Sequence, residues 1–228
     1  MTNTRNAGRW LVAFAATMGA GQVLTDVPDI GESNAQAVAF YSHGPGPAKT
    51  IIAFYLAAAA IVCLFGFLAC VLPAVRAAGH RGSAAAGWAV GGGFAALYLA
   101  AAALFTLPTA TTVLGFAPGP IDPYFARTSS MLGDGMLLLA APMLLSVCLA
   151  LVCRGAAKAA ALPSWVTRSG TIVAATLLLG WTWFPLPLLV LWAVGVGIML
   201  SIRARTAPTP RSEAFPGTAA SPPAGTRS

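Results

Sequence analysis

Between Gly170 and Ile202 the chain carries no charged side chain. A helix over that stretch would be about 50 Å long, well beyond the roughly 30 Å of hydrocarbon in a bilayer. The break is written inside it. Phe184-Pro185-Leu186-Pro187 removes two backbone donors and stops one helix before the next begins. The stretch therefore reads as two antiparallel membrane helices, spans 165–183 and 186–202. Four more runs of the same kind occur, at 10–24, 51–75, 87–106 and 131–153. With 57% hydrophobic residues, 8% charged and a mean hydropathy of +0.77, the chain is far from the composition of a soluble domain. A membrane β-barrel is excluded because its strands would alternate apolar and polar residues over about ten positions, whereas these runs are unbroken. The expected fold is all-α, a polytopic bundle of six transmembrane helices over residues 1–203, with 204–228 a disordered cytoplasmic tail rich in Pro, Ala, Ser and Thr.

Local signals set the joints between spans. Asp122-Pro123 is a helix start, with Asp as N-cap and Pro at the first helical position, where its missing N–H costs nothing. Ser33 followed by Gln36 is a capping box, and Ala37, Phe40 and Tyr41 give the short helix behind it an apolar face. Gly44-Pro45 ends that helix, which is expected to lie in the external interface. Gly87, Gly91, Gly92 and Gly93 let other helices approach the third span closely, and Pro108 is expected to stop it. Pro163 opens the fifth span, with Trp165 at headgroup level. The first span, with Arg5 and Arg9 before it and small residues at Gly19, Ala20 and Gly21, also admits reading as a cleaved signal peptide.

With six spans, eleven Lys and Arg residues (Arg5, Arg9, Arg76, Arg81, Arg154, Lys158, Arg168, Arg203, Arg205, Arg211 and Arg227) fall on one face, and only Lys49 and Arg127 on the other. The basic face is cytoplasmic by the positive-inside rule, so both termini are inside the cell. Trp10, Trp88 and Trp165 mark the inner boundary, Trp181 and Trp183 the outer. The net charge of +7 is thus accounted for by topology and calls for no nucleic acid.

Ala39-Phe40-Tyr41 before span two, the small-residue third span, and Leu162-Pro163-Ser164-Trp165-Val166 opening span five together resemble a broad family of uncharacterised six-helix integral membrane proteins common in high-GC Gram-positive bacteria. The resemblance covers residues 10–202 and implies the six-helix fold and a bacterial plasma membrane; the family brings no established activity. Ser42, His43, Gly44 and Pro45 stand where that family often has a polar or basic pair.

Asp134 is the one charge embedded in an apolar run, about 20 residues before the stop at Arg154, hence at the outer edge of the hydrocarbon. It reads either as a proton or cation site reached from outside, with Arg127 two helical turns away as partner, or as an interfacial acid bonded to a neighbouring helix. Pro142 lies near the midplane, where it can kink its helix. Asp26, Asp29 and Glu32 match no calcium-loop pattern and read as a solvated loop. Cys63, Cys70, Cys148 and Cys153, on the inner halves of spans two and four, read as free thiols acting as small hydrophobes. His43 and His80 fall in loops on opposite sides, so histidine-ligated haem, a zinc centre and serine–histidine chemistry each lack a required residue. No GxxxxGK[ST] loop is present. The sequence implies no metal, cofactor or catalysis. Its partners are the lipid bilayer and a membrane-protein partner or a second copy, and the reading it favours is binding of a partner, a lipid or a small apolar molecule. A small proton- or cation-coupled transporter or channel centred on Asp134 is the alternative, and a membrane enzyme using Asp134 or the external acids as base comes third.

Overall fold

The computed structural model describes residues 4–25, 33–113, 115, 121–179 and 184–206, and among them only helices and turns occur. In chain order these are α1 (Thr4–Leu24), α2 (Asn34–Ser42), α3 (Gly46–Ala77), α4 (Arg81–Val113), α5 (Pro123–Gly135), a π-helical turn (Met136–Ala140), α6 (Ala141–Lys158), α7 (Ser164–Leu177) and α8 (Pro185–Thr206). Helix α5, the π turn and α6 form one continuous helix, Pro123–Lys158.

The helix ends follow the local chemistry. Ser33 accepts from the Gln36 N–H while the Gln36 side chain accepts from the Ser33 N–H at 2.8 Å, a complete capping box that opens α2. Asp122 accepts from the Tyr124 N–H at 2.9 Å, and Pro123 occupies the first helical position of α5. Left-handed residues stand at the turns, among them Gly44 (φ 69°) between α2 and α3 and Gly79 (φ 88°) between α3 and α4. Helix α8 starts at Pro185, inside the expected Phe184–Pro187 break, while α7 ends earlier than the expected residue 183, at Leu177.

The long helices close a ring in the order α1, α3, α4, α6, α7, α8 and back to α1, and α3 meets α6 across it. Ring neighbours run antiparallel. Gly8 of α1 lies against Gly197 and Ser201 of α8, while Gly19 lies against Val190; Gly91 of α4 meets Leu68 and Cys148, while Gly133 near the other end of the Pro123–Lys158 helix meets Phe105. At Gly8, Gly91 and Gly197 a Cβ would collide, and one added at Gly66 would reach within 2.4 Å of the Trp10 ring. The interior is filled by apolar side chains, among them Phe14, Met18, Leu68, Leu72, Phe94, Val152 and Leu177. Helix α2 covers one end, where Tyr41, Ile121 and Ala126 form a separate small cluster.

Four described helices are long and apolar enough to cross a membrane: Gly46–Ala77, Arg81–Val113, Pro123–Lys158 and Pro185–Arg203. These are the makeup of a multi-pass membrane protein. The first and fifth expected spans do not meet that measure. Helix α1 spends its first turns on Thr4, Arg5, Asn6 and Arg9, and α7 has 14 described residues before positions 180–183, which lie outside the description.

Two further departures have clear causes. Helix α4 does not stop at Pro108 but runs through it to Val113. Packed between α3 and α6, α4 carries the proline through as membrane helices do. Near Pro142 the chain widens rather than breaks. The Ala141 N–H reaches the Met136 carbonyl, one residue further back than in an α-helix, and the extra residue in that turn makes room for the proline ring. The expected acids Asp26, Asp29 and Glu32, Trp181 and Trp183, and the tail beyond residue 206 lie outside the described residues.

Candidate functional site

Asp134 lies in the last turn of α5, partly buried and two residues before the π turn. Arg127 is on the same face two turns earlier, about 10 Å along the axis. Its Nε is buried and has no hydrogen-bond partner among the described residues. What the fold brings to the carboxylate's neighbourhood comes from far away in sequence. The hydroxyl of Tyr41 in α2 lies 2.7 Å from the Ser130 hydroxyl, one turn before Asp134, and both are buried. Ser130 also lies 3.0 Å from the Ala126 carbonyl. With its single proton given to that carbonyl, Ser130 accepts from the neutral Tyr41. Burial pushes the Tyr41 phenol above its ordinary 10; a Ser130 proton turned toward a phenolate opposes the rise, and the negative charge of Asp134 adds to it.

A second polar group stands beside it where α3 and α4 meet. The Thr50 hydroxyl lies 3.0 Å from the Pro47 carbonyl and 3.1 Å from the Thr109 hydroxyl, and Thr106 lies 3.2 Å from the Thr50 carbonyl. Thr50 also lines a small cavity with Gln22, Thr25, Tyr98, Phe105 and Leu137. Its volume of about 20 Å³ is room for one water, with the Gln22 and Tyr98 side chains both at its wall. Polar groups thus gather at the α2 end of the bundle and bond one another, leaving a water-sized hollow rather than a path. The sequence signals Gln22 and Asp134 but not Tyr41 with Ser130 or the threonines, because those pairings join residues far apart in the chain.

The other residues singled out by sequence fall as follows. All four cysteines are free thiols, and Cys148 lies 3.6 Å from the Gly87 carbonyl in the α4–α6 contact. His43 caps the end of α2 and His80 sits in the turn between α3 and α4, at opposite ends of the ring. No group of three potential metal ligands forms among the described residues.

Two sizeable hollows lie on the outside of the ring, both along the seam of α3 and α4. Near the α2 end, Phe54, Tyr55, Thr106, Leu107 and Val113 border a groove of about 380 Å³. Near the opposite end, a groove of about 460 Å³ lies between Leu72, Pro73 and Arg76 of α3 and Arg81, Ala85 and Trp88 of α4. Trp88 is held there by stacking on Phe65, ring centroids 5.8 Å apart. At the same end Arg203 of α8 lies over the Trp165 ring at 5.6 Å.

No protein-family model, no curated protein and no solved structure matches the chain.

Proposed function

We propose that the chain is a six-span protein of the bacterial plasma membrane, with both termini cytoplasmic and the α2 end outside, that works without catalysis by binding a lipid or small apolar molecule on the α3–α4 seam. The observation that carries this is where the empty space lies. The ring interior is packed and its hydroxyls are bonded to backbone or to one another, whereas the two large grooves open toward the surface a bilayer would cover. Six crossings are supported by the up–down alternation around the ring, in which α1 and α7 fill two of the six places. The packing of Gly8 and Leu11 of α1 into the core supports its retention in the mature protein. Orientation rests on the basic residues at the end away from α2. The resemblance to the six-helix family of high-GC Gram-positive bacteria fits the same picture.

Native mass spectrometry of the full-length protein released from its own membrane tests the reading. A defined bound molecule, lost when Ala103→Trp or Ala110→Trp fills the groove near α2, is the expected result. A protein that emerges bare, or keeps the same molecules after this groove and the one at the opposite end of the seam (Ala85→Leu) are both filled, refutes it. For orientation, a single cysteine replacing His43 in a cysteine-free background should react with an impermeant maleimide on intact cells, and one replacing His80 only after permeabilisation.

One observation favours a second reading, a proton- or cation-coupled carrier. Asp134 shares its end of α5 with the Tyr41–Ser130 pair and is followed directly by the π turn, a feature frequent at functional sites. Flux into liposomes that is lost in Asp134→Asn would place the carrier first.

A further inference from the structure

We infer that the groove at the far end of the α3–α4 seam is a binding site for one anionic phospholipid of the cytoplasmic leaflet, its phosphate held by Arg76 and Arg81 and an acyl chain laid over Leu72, Pro73 and Ala85 beside Trp88. The inference rests on the orientation and lipid-binding reading above and adds the headgroup class.

Charge comes first. Among the described residues the acids are Asp122 and Asp134, both on α5 toward the α2 end. Arg76 and Arg81 are exposed at the opposite end, on the two walls of one groove, with no carboxylate of the described chain to neutralise them. A guanidinium pair facing one hollow suits a phosphodiester, whose oxygens accept from several N–H donors at once. Helix α4 begins at Arg81, and the positive end of its dipole adds to the same field.

Shape supplies the second half. Below the arginines the groove becomes apolar, because Pro73 and Ala85 leave space that larger side chains would fill. At about 460 Å³ it admits the glycerol region and the start of an acyl chain, far more than a phosphate ion needs. Trp88, 40% exposed and fixed by Phe65, stands at the depth where an indole bridges headgroup and chain. A basic pocket between membrane helices on the cytoplasmic side is the setting in which anionic headgroups are recognised.

The test is native mass spectrometry of the delipidated full-length protein in neutral detergent, titrated with phosphatidylglycerol or with phosphatidylcholine of the same chains. Wild type should retain one phosphatidylglycerol in clear preference to phosphatidylcholine. Arg76→Gln/Arg81→Gln should bind it about thirtyfold more weakly, as two contacts near 1 kcal/mol each imply. Arg154→Gln/Lys158→Gln removes equal charge at the same end outside the groove and should change little. Ala85→Leu fills the apolar part without altering charge and should also release the lipid, so the test survives if the double arginine variant fails to fold. Equal retention of the two lipids, or equal loss in both charge-neutralised variants, overturns the inference while leaving the groove near α2 to answer for lipid binding in general. Displacement of the lipid by millimolar inorganic phosphate alone would assign the groove to free phosphate and overturn it too.

Discussion

Two glycines of α8, Gly195 and Gly197, stand two positions apart and should respond in opposite directions to the same substitution. A Cβ at Gly197 would lie 2.6 Å from Val12 Cγ2 and 2.7 Å from the Gly8 carbonyl of α1, about 0.7 Å inside an ordinary 3.4 Å contact. The Gly8 oxygen is backbone and cannot swing aside, so α1 and α8 must separate or twist. Overpacking of this kind costs about 1–3 kcal/mol. Alanine's better helix propensity returns roughly 1 kcal/mol, leaving a net loss of up to about 2 kcal/mol for Gly197→Ala, toward the upper end because the obstacle is backbone. A Cβ at Gly195 meets nothing within 4 Å, so Gly195→Ala keeps only the propensity gain, up to about 1 kcal/mol. In a protein of this size each kcal/mol moves the unfolding midpoint by roughly 2–4 °C. Thermal unfolding in detergent, followed by tryptophan fluorescence and checked by size-exclusion recovery, reads both. The reasoning fails if Gly197→Ala unfolds at or above the wild-type temperature, because then the α1–α8 contact is not as close as described. Gly8→Ala meets the same contact from the other side, so the double variant should lose less than the sum of the two.

Removing the Ser130 hydroxyl leaves the buried Tyr41 hydroxyl without its acceptor, so Ser130→Ala should cost about 1–3 kcal/mol and Tyr41→Phe in that background should recover part of it; the same unfolding assay decides. Because the Tyr41 pKa is raised on folding, the stability tied to its neutral form is complete below pH 10 and lost as pH climbs past 10 through the folded value. Phenolate absorbance of wild type minus Tyr41→Phe should therefore rise later than that of a free phenol, and an ordinary midpoint near 10 would contradict the burial. Asp122→Ala removes the cap of α5 and should cost about 1 kcal/mol, with faster amide exchange confined to Tyr124–Ala126; unchanged exchange there would mean the cap is idle.

What the sequence made legible was whatever depends on near neighbours. Asp122-Pro123 and Ser33 with Gln36 cap the helices they were expected to cap, α8 begins at Pro185, and Gly87 and Gly91 are buried against neighbouring helices. Pro108 misled because proline's local penalty says stop, whereas packing between α3 and α6, which only the folded chain supplies, carries α4 through it. Pro142 was located, but a kink and a π turn relieve the same clash, and sequence does not choose between them. At the candidate site, Asp134 was conspicuous as a lone charge, while its surroundings were not: Tyr41 reads locally as part of an apolar face, and only the folded chain lays its hydroxyl on Ser130. Arg76 and Arg81 read as two anchors of orientation, and the groove between them exists only once α3 and α4 are side by side.

The ring is closed by its two ends, α1 against α8. About 190 residues separate Gly8 from Gly197. During synthesis α1 must therefore wait for α8, and any product that stops before Gly197 leaves the Gly8 face without the helix that covers it.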